Sequence, residues 1–136
     1  MMMHYNPKAG YRIMVCITPQ PSCRRLIDRG AERAEETKGE FCAVYVNKSD
    51  YIAKDLQQHT ILQELFEYAQ SLGGRVAILV GKKVYTALAD FAKENGVNEI
   101  IVGRSLRSAF EIRNRDDVIN PLIKQVEHSN IYVDII

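Results

Sequence analysis

Thr18, Gln20 and Ser22 stand at alternate positions just after an apolar run, and Arg24 and Arg25 follow at once. Hydroxyl, amide and guanidinium groups at a strand-to-helix turn suit phosphate or ribose oxygens, because backbone N–H groups and side-chain donors can converge there on one anion. A second polar and cationic group, Gly103, Arg104, Ser105, Arg107 and Ser108, follows the apolar run 99–102 and supplies a facing wall for such a site. Tyr45, near the end of a third apolar run, offers an aromatic face with a hydroxyl tip. Each residue type also has a plain structural use: Ser22 as a helix N-cap, the arginines as exposed helix charges, Phe41 as core.

Other chemistries find no support. His4, His59 and His128 lie far apart without Cys, His or carboxylate partners at ligand spacing, so no metal is expected. No P-loop, nucleophile–base arrangement or pair of catalytic carboxylates can be assembled, and the expectation is a non-catalytic protein that requires no cofactor. Cys16, Cys23 and Cys42 have neither CxxC nor Cys/His spacing, and two fall where a core strand and a buried helix face are expected; they read as reduced, buried thiols of a cytoplasmic protein. Lys plus Arg (18) nearly cancels Asp plus Glu (17), so the overall field does not favour nucleic acid or an anionic membrane. No apolar run reaches the ~18 residues of a membrane span.

The elements that position these residues alternate along the chain. The 136 residues fit one domain, read as 11–136 behind a flexible arm, 1–10. Apolar, β-branched runs at 11–18, 41–46, 75–80, 99–102 and 130–136 read as strands. Between them, 22–38 reads as a helix capped by Ser22 and stopped by Gly39 at C′. A second helix carries Ile61, Leu62, Leu65, Phe66, Ala69 and Leu72 on one face and ends at Gly73-Gly74; a third spans 84–94; a fourth runs from about 117 to 128. Gly30, Ala31 and Ala34 on the inner face of the first helix predict close packing on a sheet. Strands alternating with helices require a parallel sheet covered on both faces, and the order 3-2-1-4-5 places the topological switch between strands one and four. The 18–22 and 103–108 loops should then face each other.

Four segments carry a resemblance: Ile13-Met14-Val15-Cys16-Ile17, the helix from Arg25, Phe41-Cys42-Ala43-Val44-Tyr45-Val46, and Ile100 through Ser108. Together they resemble the universal stress proteins, an adenine nucleotide alpha hydrolase-like fold, and more closely the version in the cytoplasmic part of KdpD-type sensor histidine kinases, which control potassium uptake. The resemblance implies a sensory or regulatory domain in two-component signal transduction, acting on neighbouring kinase domains or a sensor protein and able to form a homodimer. If the chain is part of a longer one, the parent could be a sensor histidine kinase.

The ATP-binding members carry an Asp where this chain has Thr18, and Gly-x-x-Gly, nine residues, then Gly-Ser or Gly-Thr, where it has Gly103, Leu106 and Asp116-Asp117. A Cβ at the second glycine and two carboxylates at a helix start argue against ATP. Members of the sensor-kinase branch that bind c-di-AMP carry Ser-x-Ser, twenty residues, then Phe-Thr-Ala-x-Tyr. Thr18-Pro19-Gln20 and Phe41 to Tyr45 keep that spacing with partly changed donors. The resemblance therefore implies a cyclic dinucleotide or another anionic ligand, with Thr18, Gln20, Ser22, Arg25, Tyr45, Gly103, Arg104, Ser105, Arg107 and Ser108 as the site. A ligand-free interaction module of the same fold and a conventional ATP-binding stress protein are the alternatives.

Overall fold

Apolar side chains run without polar alternation through Ile13, Met14, Val15, Cys16 and Ile17, and again through Ile100, Ile101 and Val102, as strands covered on both faces must. In the computed structural model, which describes residues 4–48, 56–104 and 118–136, these runs lie at the centre of a parallel sheet. Its strands are β1 (Arg12–Cys16), β2 (Glu40–Lys48), β3 (Arg75–Gly81), β4 (Glu99–Val102) and β5 (Tyr132–Ile135). Their order is β3-β2-β1-β4-β5, as the crossover rule requires. The register sets Val15 opposite Ala43 on one side and Ile101 on the other.

Helices α1 (Arg24–Thr37) and α2 (Leu56–Ser71) cover one face; α3 (Val84–Glu94) and α4 (Ile119–Val126) cover the other. α1 approaches the sheet closely because Gly30 has no Cβ: one added there would lie 2.5 Å from Val15 Cγ2. α2 buries Leu65 and Ala69, whereas Leu72, expected on the same face, is 42% exposed beyond the helix end.

Two helix boundaries differ from the sequence reading. Pro21 starts a short 3-10 turn, Pro21–Cys23, one residue before the expected cap. Gln20 takes the extended N-cap conformation, so Ser22 lies inside the turn and caps nothing. At the other end Lys38, not Gly39, adopts the left-handed conformation (φ 54°). The Gly39 N–H closes the motif onto Ala34 O at 2.8 Å. Glycine is needed at 39 for space, since a Cβ would lie 2.2 Å from the Tyr11 carbonyl oxygen.

The segment read as a loose arm has an anchor. Tyr5 is 2% exposed, donates to Ile13 O at 2.6 Å, and packs on the Phe91 ring. The Asn6 N–H donates to Glu40 Oε2 at 2.7 Å, which ties the same segment to the start of β2.

One charge is wholly buried. Glu99, with 0% exposure at the start of β4, accepts from Arg33 Nε (3.1 Å to each carboxylate oxygen), Arg33 Nη2 (2.9 Å) and the Tyr11 hydroxyl (2.8 Å). The carboxylate, hydrogen-bonded to the guanidinium, pushes the Arg33 pKa above its ordinary value, so Arg33 keeps its charge. Paired in this way the charge is tolerated; left alone it is not. Arg33→Ala is expected to lower the unfolding free energy by about 3–5 kcal/mol in urea titrations, and Arg33→Met with Glu99→Met to recover most of the loss. Equal stability of Arg33→Ala and the parent chain would contradict the assignment.

Candidate functional site

β1 and β4 run side by side and end together, and the chain leaves them towards opposite faces: into α1 from β1, and out of the sheet at Gly103 from β4. This is the crevice in which open α/β sheets hold ligands. On the β1 side, Ile17 stays in the ladder (N–H to Val44 O, 2.9 Å) and Thr18 begins the turn. The Thr18 N–H donates to Cys23 Sγ at 3.4 Å, and its hydroxyl lies 3.5 Å from the same sulfur. The Gln20 N–H folds back onto Thr18 O at 2.7 Å, which makes the turn tight.

On the β4 side, Gly103 is buried and Arg104 is exposed. The Arg104 N–H donates to Ile136 O at 2.9 Å, and Arg25 Nη2 donates to the same oxygen at 3.1 Å. The first turn of α1, the exit of β4 and the end of β5 therefore meet at one carbonyl. Two of the expected site residues, far apart in sequence, are brought together there.

Others are placed differently. The Arg24 guanidinium lies 4.0 Å from the centroid of the Tyr68 ring on α2, and Tyr68 donates its hydroxyl to Asp28. Arg24 is thus held on the α1–α2 surface. Ser22 is exposed on the outer side of the 3-10 turn. Phe41 is 2% exposed and belongs to the core under Gly30 and Gly74, whereas Tyr45 is half-buried nearer the carboxyl end of β2. Ser105, Arg107 and Ser108, with Leu106, Asp116 and Asp117, lie outside the described residues.

Asn47, two residues beyond Tyr45, was not singled out by sequence, yet its Oδ1 is buried with no hydrogen-bond partner among the described residues. An Asn at the exit of a predicted strand, where a turn residue is ordinary, gives no signal of that. A shallow depression at the other end of the sheet is bounded by Glu32, Glu35 and Glu40, and its carboxylates repel a phosphate. Among the described residues there is no cluster of His, Cys, Asp and Glu fit for a metal, and no helix long and apolar enough to cross a membrane.

The comparisons with known proteins agree with this fold. The chain is 34% identical over 103 residues to the sensor protein KdpD of Mycobacterium tuberculosis, a match that takes in 76% of this chain and 12% of KdpD. No family model matches. Its fold matches a universal stress protein solved in complex with cAMP (TM-score 0.65, 18% identity, 95% of this chain and 96% of that one). It also matches the Archaeoglobus fulgidus universal stress protein in complex with dAMP (TM-score 0.67, 18% identity, 93% of this chain and 98% of that one). The chain is a domain of the universal stress protein class. Within that class it resembles a segment of KdpD.

The thiols of the site region are sealed. All three cysteines are free and buried. Burial raises the Cys16 thiol and pushes Cys42 up to about 12; it raises the Tyr5 phenol as well. An unfolded chain releases such protons near 9 for Cys and 10 for Tyr, while the fold retains them. Stability is therefore full below about pH 9 and is lost as pH rises further, by about 1.4 kcal/mol per pH unit for each group. Urea midpoints should fall steeply between pH 9 and about 10.5, and a thiol reagent at pH 7.5 should label the protein only as it unfolds. A flat midpoint over that range would contradict the burial.

Proposed function

We propose that the domain binds a nucleotide or a similar anionic small molecule at the carboxyl ends of β1 and β4, and that binding, not catalysis, is its task. One observation carries this: the Arg25 side chain and the Arg104 backbone meet at the Ile136 main-chain oxygen, which brings two exposed arginines together at the carboxyl end of the sheet. An anion in that crevice gains two charge-assisted donors. The structural neighbours solved with cAMP and dAMP support a nucleotide.

Among nucleotides, c-di-AMP is favoured over ATP. The Thr18-Pro19-Gln20 turn and Tyr45 keep the spacing of the cyclic-dinucleotide pattern, and Asp116-Asp117 replaces the pair that follows the ATP glycines. The sensor role of KdpD supports a signalling use: a cytoplasmic module of a two-component, potassium-responsive kinase that reports ligand to neighbouring domains. Ligand binding would shift the population of states those domains recognise. A ligand-free interaction module is the second reading, favoured by the edge strand β5, where Tyr132 is 62% and Ile135 36% exposed. Pairing of that edge between two copies would make a homodimer.

Calorimetric titration separates the readings. Saturable binding of c-di-AMP is expected, with Tyr45→Ala and Arg104→Ala each weakening it about tenfold, or about 1.4 kcal/mol. No heat with c-di-AMP or ATP at high micromolar concentration would favour the interaction module. Tight binding of ATP alone would mean that the aspartate pair does not close the phosphate site.

A further inference from the structure

β2 and β3 continue past the end of β1, and their last residues pair Tyr45 with Ile78 and Asn47 with Val80. Side chains opposite one another in a parallel pair share a face of the sheet, so these four lie together on the face that α1 and α2 cover lower down. Here the cover runs out. Ile78 is 60% and Val80 69% exposed, a pair of large apolar side chains side by side on one strand. Isolated exposed apolar residues are ordinary; two on one face beside a half-buried tyrosine form a small flat platform.

The amide of Asn47 adds direction. Its oxygen is cut off from water and has no donor among the described residues, although the residue as a whole is only half-buried. A buried acceptor without a donor destabilises the fold, and an apolar side chain of similar size would avoid the cost. The broad terminal torsion of Asn lets the amide turn its oxygen outward without rotamer strain. The partial negative charge of that oxygen is complementary to an exocyclic amine. The amide's N–H beside it would meet an adjacent ring nitrogen, the bidentate geometry in which Asn reads adenine. The platform lies two strand spacings, roughly 10 Å, from the Thr18 turn, which is within the reach of one nucleotide.

We infer that Tyr45, Ile78 and Val80 form a nucleobase platform and that Asn47 makes it selective for adenine, whose C6 amine and neighbouring ring nitrogen match the amide's oxygen and N–H, over guanine, which carries an oxygen at C6. This rests on the nucleotide reading above and adds to it the residue that chooses the base.

The test is calorimetry of the whole chain with c-di-AMP and c-di-GMP, on the parent and on Asn47→Leu and Val80→Glu, with thermal unfolding of each variant without ligand. The parent should prefer c-di-AMP at least tenfold. Asn47→Leu should lose that preference while its ligand-free midpoint stays level or rises by several degrees. Val80→Glu, at an exposed position, should weaken both ligands about fivefold or more with its midpoint unchanged. If c-di-AMP binds, and is weakened by Arg104→Ala but not by Asn47→Leu or Val80→Glu, the platform is overturned and the nucleotide reading stands. If the preference survives in Asn47→Leu, the assignment of Asn47 is overturned. Absence of binding by both dinucleotides overturns the platform and the nucleotide reading together.

Discussion

A carboxylate with no exposure to water sits at the start of the strand that closes the switch point, and the register of the central sheet depends on its being neutralised. Glu99 opens β4 opposite Ile13 of β1. Arg33 reaches it from α1, and Tyr11 from the residue before β1, so one charge binds two strands and the helix above them. A slip of β4 would draw the carboxylate away from both partners, leaving a buried charge that costs several kcal/mol. The same end holds Tyr5 against Ile13 and Arg12 against the Asn95 and Asn6 carbonyls. The amino ends of the strands are thus fixed, and their carboxyl ends are free to differ.

That division of labour organises the chemistry. The amino-end depression is lined by carboxylates, whereas the carboxyl-end crevice gathers Arg25 and Arg104. The strands deliver these groups to one end of the sheet. The convergence at the Ile136 carbonyl also joins the crevice to the last strand. The side chain of Arg25 and the backbone of Arg104 thereby tie the first turn of α1 and the exit of β4 to the end of β5.

Much of the fold was legible because its signals are local. Apolar runs without alternation, separated by helical periods, compel a parallel α/β sheet, and crossover handedness then gives its order. Gly30 on the inner face of α1 announced the close approach that the Val15 contact requires. What was missed depends on partners distant in sequence. Glu99 looks like a surface residue until Arg33 and Tyr11, 66 and 88 positions away, are brought to it. Tyr5 stands in a polar segment with no period to mark it as core. The cap at Ser22 was misread for a local reason: Pro21 begins the winding earlier, and a proline at the first position is the signal that finds it. At the carboxyl ends of the strands, the meeting of Arg25 and Arg104 was legible from residue type and strand end. Asn47 was not, because an unpaired acceptor is a property of its surroundings.

The central claim is that a nucleotide binds at the carboxyl ends of the strands. It is tested most directly by mapping amide chemical shifts of the isotope-labelled chain during titration with c-di-AMP. The account predicts saturable shifts at Thr18, Gln20, Arg25, Asn47, Gly103 and Arg104, with Tyr11, Arg33 and Glu99 unmoved. Shifts confined to the amino end, or to the β5 edge alone, would contradict it.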